Sequence, residues 1–322
     1  MLSNDLNGIA IQTLESFFII FWTNLKRFLM HQNSPHFLTI GLPFYNNEKT
    51  LKSAINSVIL QSYGLWELIL VDDGSIDNSY NIAYEIAQTD KRIILISDGT
   101  NKGLISRLNQ IIDLAKGEYI ARMDADDMMM PEKLERQMNV LIGNDEIDVI
   151  DTAAYTINEK DEPIGIRGTE DLNIRDQKRL LKKALLFHPT IIAKTSWYKK
   201  NKYSEDFIRA EDFELWCRTF KSTVFHRIKE PYFLYREGNV NVKNYILSMK
   251  TFRKIIRHYG PGVLSKSEFA LEILKTYLKS AVYKVFALFK WQHILSSKRN
   301  MKLNESQVTE VNQVINRIKN KK

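Results

Sequence analysis

From residue 37 onward, short apolar runs alternate with segments whose apolar residues recur at helical spacing, and no other feature restricts the possible folds as tightly. Phe37–Gly41 reads as a strand. Leu51, Ile55, Val58 and Ile59 then fall at i, i+4, i+7 and i+8, which predicts a helix. Glu67–Val71 predicts a second strand, and Ile82, Ala83, Ile86 and Ala87 a second helix. Ile93–Ile96 and Tyr119–Met123 predict two more strands, separated by a helix marked by Leu104, Leu108, Ile111, Ile112 and Ala115. Pro131 suits the first position of a further helix, with Leu134, Met138 and Leu141 on one face, and Asp148–Tyr155 predicts a fifth strand. Strands buried on both faces and joined by helical crossovers imply an α/β fold with a mostly parallel, doubly wound sheet. Such sheets bind ligands beyond the carboxyl ends of their strands. Two acidic clusters, Asp72-Asp73 and Asp124-Asp126-Asp127, fall at such ends.

Residues 156–240 are less regular. Glu159–Pro163 reads as a polar turn, Arg179–Phe187 as a helix, Thr190–Ala193 as a strand, Glu211–Phe220 as a helix opening on two acids, and Tyr232–Tyr235 as a short strand. Charge then divides the chain. Residues 241–322 hold 17 basic against 4 acidic side chains, a net of +13, which leaves 29 against 34 and a net of −5 for residues 1–240. At the other end, Phe17–Trp22 is an unbroken apolar run with Lys26 and Arg27 after it, the reverse of a signal peptide. Residues 11–31 therefore read as an amphipathic or interfacial helix, lying on a membrane or packed on the protein itself. The expected organisation is an N-terminal helix (1–36), a catalytic domain (37–240) and a basic helical extension (241–322). A hydrophobic content of 44% excludes disordered classes. One cysteine, Cys217, excludes a disulfide framework or a cysteine zinc site. No uncharged apolar run of 18 residues is present.

Three motifs carry chemistry. Asp124-Ala125-Asp126 follows a buried strand, and two carboxylates turned to one point suit Mg²⁺ or Mn²⁺ together with substrate phosphates. Its structural alternative is turn formation. Asp72-Asp73-Gly74-Ser75 closes the second strand, where an acid can accept a ligand N–H or the segment can simply lead to a helix capped by Asp77. Glu211-Asp212 opens a helix. Neighbours on a helix point about 100° apart, so one of the two can face a given site. The pair either stabilises the helix dipole or supplies a general base.

In this order the three motifs resemble glycosyltransferase family 2, of the GT-A fold and the non-processive, bacterial surface-polysaccharide type. The matching text is TIGLPFYNNEKTLKSAINSVILQSYGLWELILVDDGSIDNS, NKGL, GEYIARMDADDMMMPEKLERQ, FHPTIIAK and AEDFELWCRTF, spread over residues 37–237. The resemblance implies that Pro43, Tyr45, Asn46 and Glu48 hold the nucleotide base and that Asp73 bonds the uracil ring. It implies that Asp124 and Asp126 hold the ribose and the metal-bound diphosphate, Asp126 being the direct ligand of Mn²⁺ or Mg²⁺. It selects Asp212 over Glu211 as the catalytic base and puts His188, Glu211 and Trp216 on the acceptor side, with a core aromatic as the alternative for Trp216. The chain departs from the family pattern twice. Leu108 stands where many relatives have arginine, with Arg107 one step earlier. No histidine follows Tyr235-Arg236, which leaves a third metal contact unassigned.

The implied reaction is an inverting, metal-dependent transfer of one sugar from a nucleotide-diphosphate sugar, UDP-linked, to an acceptor hydroxyl on a lipid-linked or surface oligosaccharide. A glycoside hydrolase using two carboxylates and a non-catalytic nucleotide-sugar binding module are the alternatives. The basic tail contains no nucleic-acid module, so nucleic acid is not an expected partner. On a helical wheel of Phe269–Lys290, Lys275, Lys279, Lys290 and Glu272 lie opposite Leu271, Leu274, Leu278, Ala281, Val285 and Phe289. Such a helix either lies on an anionic membrane surface or covers the catalytic domain with its lysines in water. The expected location is cytoplasmic, peripheral on the inner face of the cell membrane.

Overall fold

A computed structural model of the protein describes residues 36–170, 176–183, 185–238, 241–289 and 300–321. The helix expected at 11–31 lies outside these residues, as does Lys290. Among the described residues nine strands join in one sheet. Its first half is parallel. β1 (Leu38–Phe44) pairs with β2 (Trp66–Asp72) on one side and β4 (Tyr119–Arg122) on the other, and β3 (Ile93–Ser97) extends β2. All residues of β1 and β2 are buried, because helices cover both faces. The crossovers are α1 (Leu51–Ile59), α2 (Ser79–Ala87) and α3 (Leu104–Leu114). Leu51, Ala54, Ile55 and Val58 of α1 join the main core with Leu38, Ile40 and Leu42.

The second half is mixed. β8 (Ile192–Lys194) runs antiparallel between β4 and β6 (Val149–Ile157), and β9 (Phe225–Arg236) runs parallel to β6. The two-residue β5 (Met128–Met129) and β7 (Pro163–Arg167) pair antiparallel with β9 and β6. The antiparallel pairs lie within residues 119–236, where the connections are not simple helical crossovers. α4 (Lys133–Gly143) begins two residues after Pro131. The helix expected through Phe187 is shorter, α5 (Gln177–Lys182). Beyond it the Phe187 N–H donates to Asp151 Oδ2 (2.8 Å) and the buried Arg227 donates to Leu185 O (2.6 Å), so this backbone is held by side chains rather than by a helix. α6 (Thr195–Lys200) and α7 (Glu211–Thr219) follow.

The basic tail forms α8 (Val242–Tyr259), α9 (Lys266–Leu288) and α10 (Glu305–Lys319). Ile255 and Ile256 of α8 enter the core built around Trp197, Phe213 and Trp216. Val311, Ile315 and Ile318 of α10 pack with Met128, Tyr155 and Leu234, and Asn56 of α1 donates to Ile318 O (3.1 Å). No helix among the described residues is long and apolar enough to cross a membrane.

Candidate active site

The parallel register fixes the site's position. Phe44 pairs with Asp72 and Gly41 with Arg122, so β1, β2 and β4 end side by side. Beyond these ends lies a cleft of about 900 Å³, lined by Pro43, Tyr45, Asp73, Asp124, Asp126 and, from the far wall, His188, Glu211 and Asp212. The two halves of the sheet thus bring together carboxylates that are more than eighty residues apart in the chain.

Asp73 is held from three directions. Its Oδ1 accepts from the Lys102 N–H (2.8 Å) and from Arg107 Nε (2.8 Å), and its Oδ2 accepts from the Gly103 N–H (3.0 Å). Gly74 makes the turn after it possible: its φ is +75°, and a Cβ there would stand 2.9 Å from the Asn101 nitrogen. A carboxylate has about four lone-pair positions, so Oδ2 retains acceptor capacity toward the cleft. Arg107 is fully buried and also binds Asp98 (2.6 Å). Its guanidinium is engaged by these two acids, which holds Asp98 well below the usual carboxylate range through the Arg107 and Lys102 hydrogen bonds.

The loop after β4 carries the second cluster. Oxygen atoms of Asp124, Asp126 and Asp127 lie within 4.8 Å of one another. Arg122, buried at the end of β4, binds both oxygens of Asp124 (2.7 and 3.0 Å). Burial opposes the charge of Arg122, but the surrounding Asp124, Glu211 and Asp212 outweigh it and raise its pKa. Arg236 clasps the same loop from β9: its N–H donates to Asp127 Oδ1 (2.7 Å) and its Nε to Asp126 O (2.7 Å). Desolvation in the cleft, with Asp124 alongside, pushes Asp126 up to about 6, and burial beside Asp126 raises Asp127 strongly. Asp127 Oδ2 is buried without a hydrogen-bond partner. Three hard oxygen donors at one point, with Asp126 and Asp127 resisting their charges, fit a divalent cation.

Across the cleft, Glu211 and Asp212 open α7. Glu211 is buried, whereas the Asp212 side chain keeps 28% of its surface exposed. Desolvation and then Asp212 push Glu211 up to about 7, and desolvation raises Asp212 against the opposing pull of the Phe213 N–H and Arg122. Nδ1 of His188 lies 3.9 Å from Asp212 Oδ2, beyond hydrogen-bond range, while its Nε2 bonds Tyr203 Oη (2.7 Å). Burial, with Arg122 nearby, lowers His188 far below its ordinary pKa and keeps the ring neutral. His188, Glu211 and Asp212 form a second group of donors within 4.8 Å of one another.

Three of the residues expected at the site do not line the cleft. Trp216 is fully buried, stacked on Trp197 and edge-on to His188 at 5.9 Å, as a core aromatic would be. Asn46 and Glu48 turn away from the cleft: Asn46 Oδ1 accepts from the Ile76 N–H (2.9 Å) and Glu48 Oε2 from the Asn78 N–H (3.2 Å), tying the loop after β1 to the loop after β2. Pro43 and Tyr45 of the same loop do line the cleft. Arg122, Arg236 and Arg209 were not singled out from sequence. Arg209 lines the cleft with a left-handed backbone, φ +72°, and brings a positive charge to a wall otherwise rich in acids. The one available signal was the placement of Arg122 and Arg236 beside recognised motifs.

The Glycosyl transferase family 2 profile matches residues 39–207. The uncharacterized glycosyltransferase MJ1057 of Methanocaldococcus jannaschii is 31% identical over 69% of this chain and 77% of its own length. The UDP-Glc:alpha-D-GlcNAc-diphosphoundecaprenol beta-1,3-glucosyltransferase WfgD of Escherichia coli is 30% identical over 58% of this chain and 70% of its own length. Among solved structures, the mannosyltransferase PcManGT from Pyrobaculum calidifontis, in complex with GDP-Man and Mn²⁺, superposes with a TM-score of 0.56 over 96% of each chain at 15% identity. At that identity the likeness concerns the fold, which is GT-A.

Proposed function

The chain belongs to glycosyl transferase family 2 and is a sugar-transferring enzyme, and from that premise we propose an inverting, metal-dependent transfer of a single sugar from a UDP-sugar to the hydroxyl of a lipid-linked or surface oligosaccharide. One observation carries the reading: Asp73, the Asp124–Asp127 cluster and the Glu211-Asp212 pair line one cleft at the carboxyl ends of parallel strands. Asp73 receives the base through its remaining lone pair, with Pro43 and Tyr45 beside it. Asp124 and Asp126 would hold Mn²⁺ or Mg²⁺, which would supply Lewis-acid chemistry toward the departing diphosphate. Arg209 adds a cation on the same side. Asp212 accepts the proton of the attacking hydroxyl; it is the more exposed member of its pair, and desolvation raises its pKa, which makes it a stronger base than a free carboxylate. Arg122 binds both oxygens of Asp124 and partly offsets the desolvation of the Glu211-Asp212 pair. His188 backs Asp212 rather than touching the acceptor itself.

The UDP-Glc and diphosphoundecaprenol in the name of the Escherichia coli relative favour a UDP donor and a lipid-linked acceptor. The net charge of +13 in residues 241–322 favours association with an anionic membrane surface. Calorimetry with UDP in the presence and absence of Mn²⁺, followed by a screen of UDP-sugars for product and its anomeric configuration, tests the assignment. Metal-dependent UDP binding and a β-linked product from an α-linked donor are expected. Sugar release without any nucleotide requirement contradicts it and points to hydrolysis by the paired carboxylates.

A further inference from the structure

Helix α9 packs by a largely polar stripe, with Phe269 and Ile273 against the core around Trp216, and exposes an apolar one. Glu272, Thr276, Ser280 and Tyr283 are only 3–8% exposed. They face α8, where Arg253 donates to Thr276 Oγ1 (3.3 Å) and Tyr245 stacks on Tyr283 with ring centroids 3.6 Å apart. Leu271, Leu274, Leu278, Val282, Val285 and Leu288 face away and are 42–82% exposed among the described residues. At about 100° per residue these six fill an arc of roughly 120° that contains no charge. Lys266 and Lys284 flank one edge of the arc, and Lys275 and Lys279 flank the other. All four lysines are exposed, and Lys275 also pairs with Glu272 (2.8 Å).

An apolar strip of this extent on a globular surface marks something it binds. Lysines on both edges decide what. A second copy laid face to face would bring lysine rows against lysine rows, which repel. A bilayer with anionic headgroups matches both features at once: acyl chains receive the leucines, and the lysines reach outward to the headgroups. We propose that α9 lies in the interface of an anionic lipid bilayer, with the Leu271–Leu288 face at the acyl boundary and Lys266, Lys275, Lys279 and Lys284 at the headgroups. The inference rests on the membrane association proposed above and assigns it to one face of one helix. Lys275 and Lys279 also border a cavity of about 520 Å³ whose wall includes Phe187, the neighbour of His188 in the cleft.

The test is co-sedimentation of the full chain with phosphatidylcholine vesicles, with and without phosphatidylglycerol, at low salt. Wild type is expected to bind only the phosphatidylglycerol vesicles. Each lysine near an anionic surface contributes about a fivefold factor, so Lys279→Gln with Lys284→Gln, one from each edge, should weaken binding about 25-fold. Leu274→Glu with Leu278→Glu should abolish it, with UDP binding and thermal stability retained. Wild type that ignores both vesicles overturns this inference and the broader membrane reading. Wild-type binding that survives both paired variants overturns this inference alone and puts the contact elsewhere, the apolar run Phe17–Trp22 being the first place to look. A large loss of thermal stability in the glutamate pair, with binding by the glutamine pair unchanged, also overturns it, because the face is then covered by the chain itself.

Discussion

Replacing Lys133 by methionine should stabilise this protein, and the effect should fade as pH rises. Lys133 sits in the first turn of α4, fully buried, with no hydrogen-bond partner for its Nζ. What it does face is the Phe233 ring, 5.8 Å away. Burial pushes the amine down to about 7 from an ordinary 10.5. That difference corresponds to about 5 kcal/mol of preference for the unfolded state, in which the amine is solvated and charged. The sign follows from proton counts. Between the two values the unfolded chain binds the proton and the folded chain does not, so wild-type stability rises with pH across this window. Below about pH 7 both states carry the proton and the penalty is complete. Methionine keeps the volume and removes the charge, so a gain of about 2–5 kcal/mol is expected at neutral pH, falling to about 2 kcal/mol or less near pH 9. Urea denaturation of both proteins at the two pH values measures it. A methionine variant less stable than wild type, or a gap independent of pH, refutes the reasoning, because the ammonium then has a partner.

Arg107→Met should cost about 3–5 kcal/mol, seen as a lowered thermal midpoint, since it leaves the buried Asp73 and its neighbour Asp98 without their cation; UDP affinity should fall with it, and unchanged affinity would separate Asp73 from the base. Gly117→Ala should destabilise by about 1–3 kcal/mol or more, because a Cβ there would meet the Thr39 nitrogen at 2.4 Å and backbone cannot yield as a side chain does; a neutral result in a thermal melt would contradict the packing of β1 against the turn before β4. Trp216→Phe should lower stability by about 1–3 kcal/mol while leaving KM for the acceptor unchanged, as befits a fully buried ring; a selective rise in that KM would return Trp216 to the acceptor side.

The parts of the fold legible in the sequence are those whose pattern is local. β1, β2 and β4 are buried throughout and mostly apolar because both faces are covered, and α1 and α3 announce themselves by spacing. β9 is different. Only Tyr232–Tyr235 reads as a strand, because Lys229-Glu230-Pro231 looks like a break. Yet the strand continues from Phe225, with Pro231 opposite Ala153 where the register with β6 shifts. β5 is two residues long and exists only because β9 lies beside it. The site divides the same way. Asp73, Asp124, Asp126 and Asp212 are legible through their motifs and their places at strand and helix ends. Arg122 is not, since nothing in the linear text shows that a cation before one acidic motif is buried against Glu211 and Asp212, some ninety residues later. Asn46, Glu48 and Trp216 illustrate the converse: each lies inside a matching motif yet is not part of the cleft lining, because a motif does not record which way its side chains turn.

The central claim is that Asp212 takes the proton from the acceptor hydroxyl while the rest of the cleft holds the donor. Asp212→Asn removes the base and little else, so the decisive measurement pairs turnover with donor affinity in that variant. The account predicts a fall in kcat of about 10²–10⁴ with UDP binding in Mn²⁺ equal to wild type. Near-normal turnover, or a loss of UDP binding that accounts for the whole defect, would contradict it.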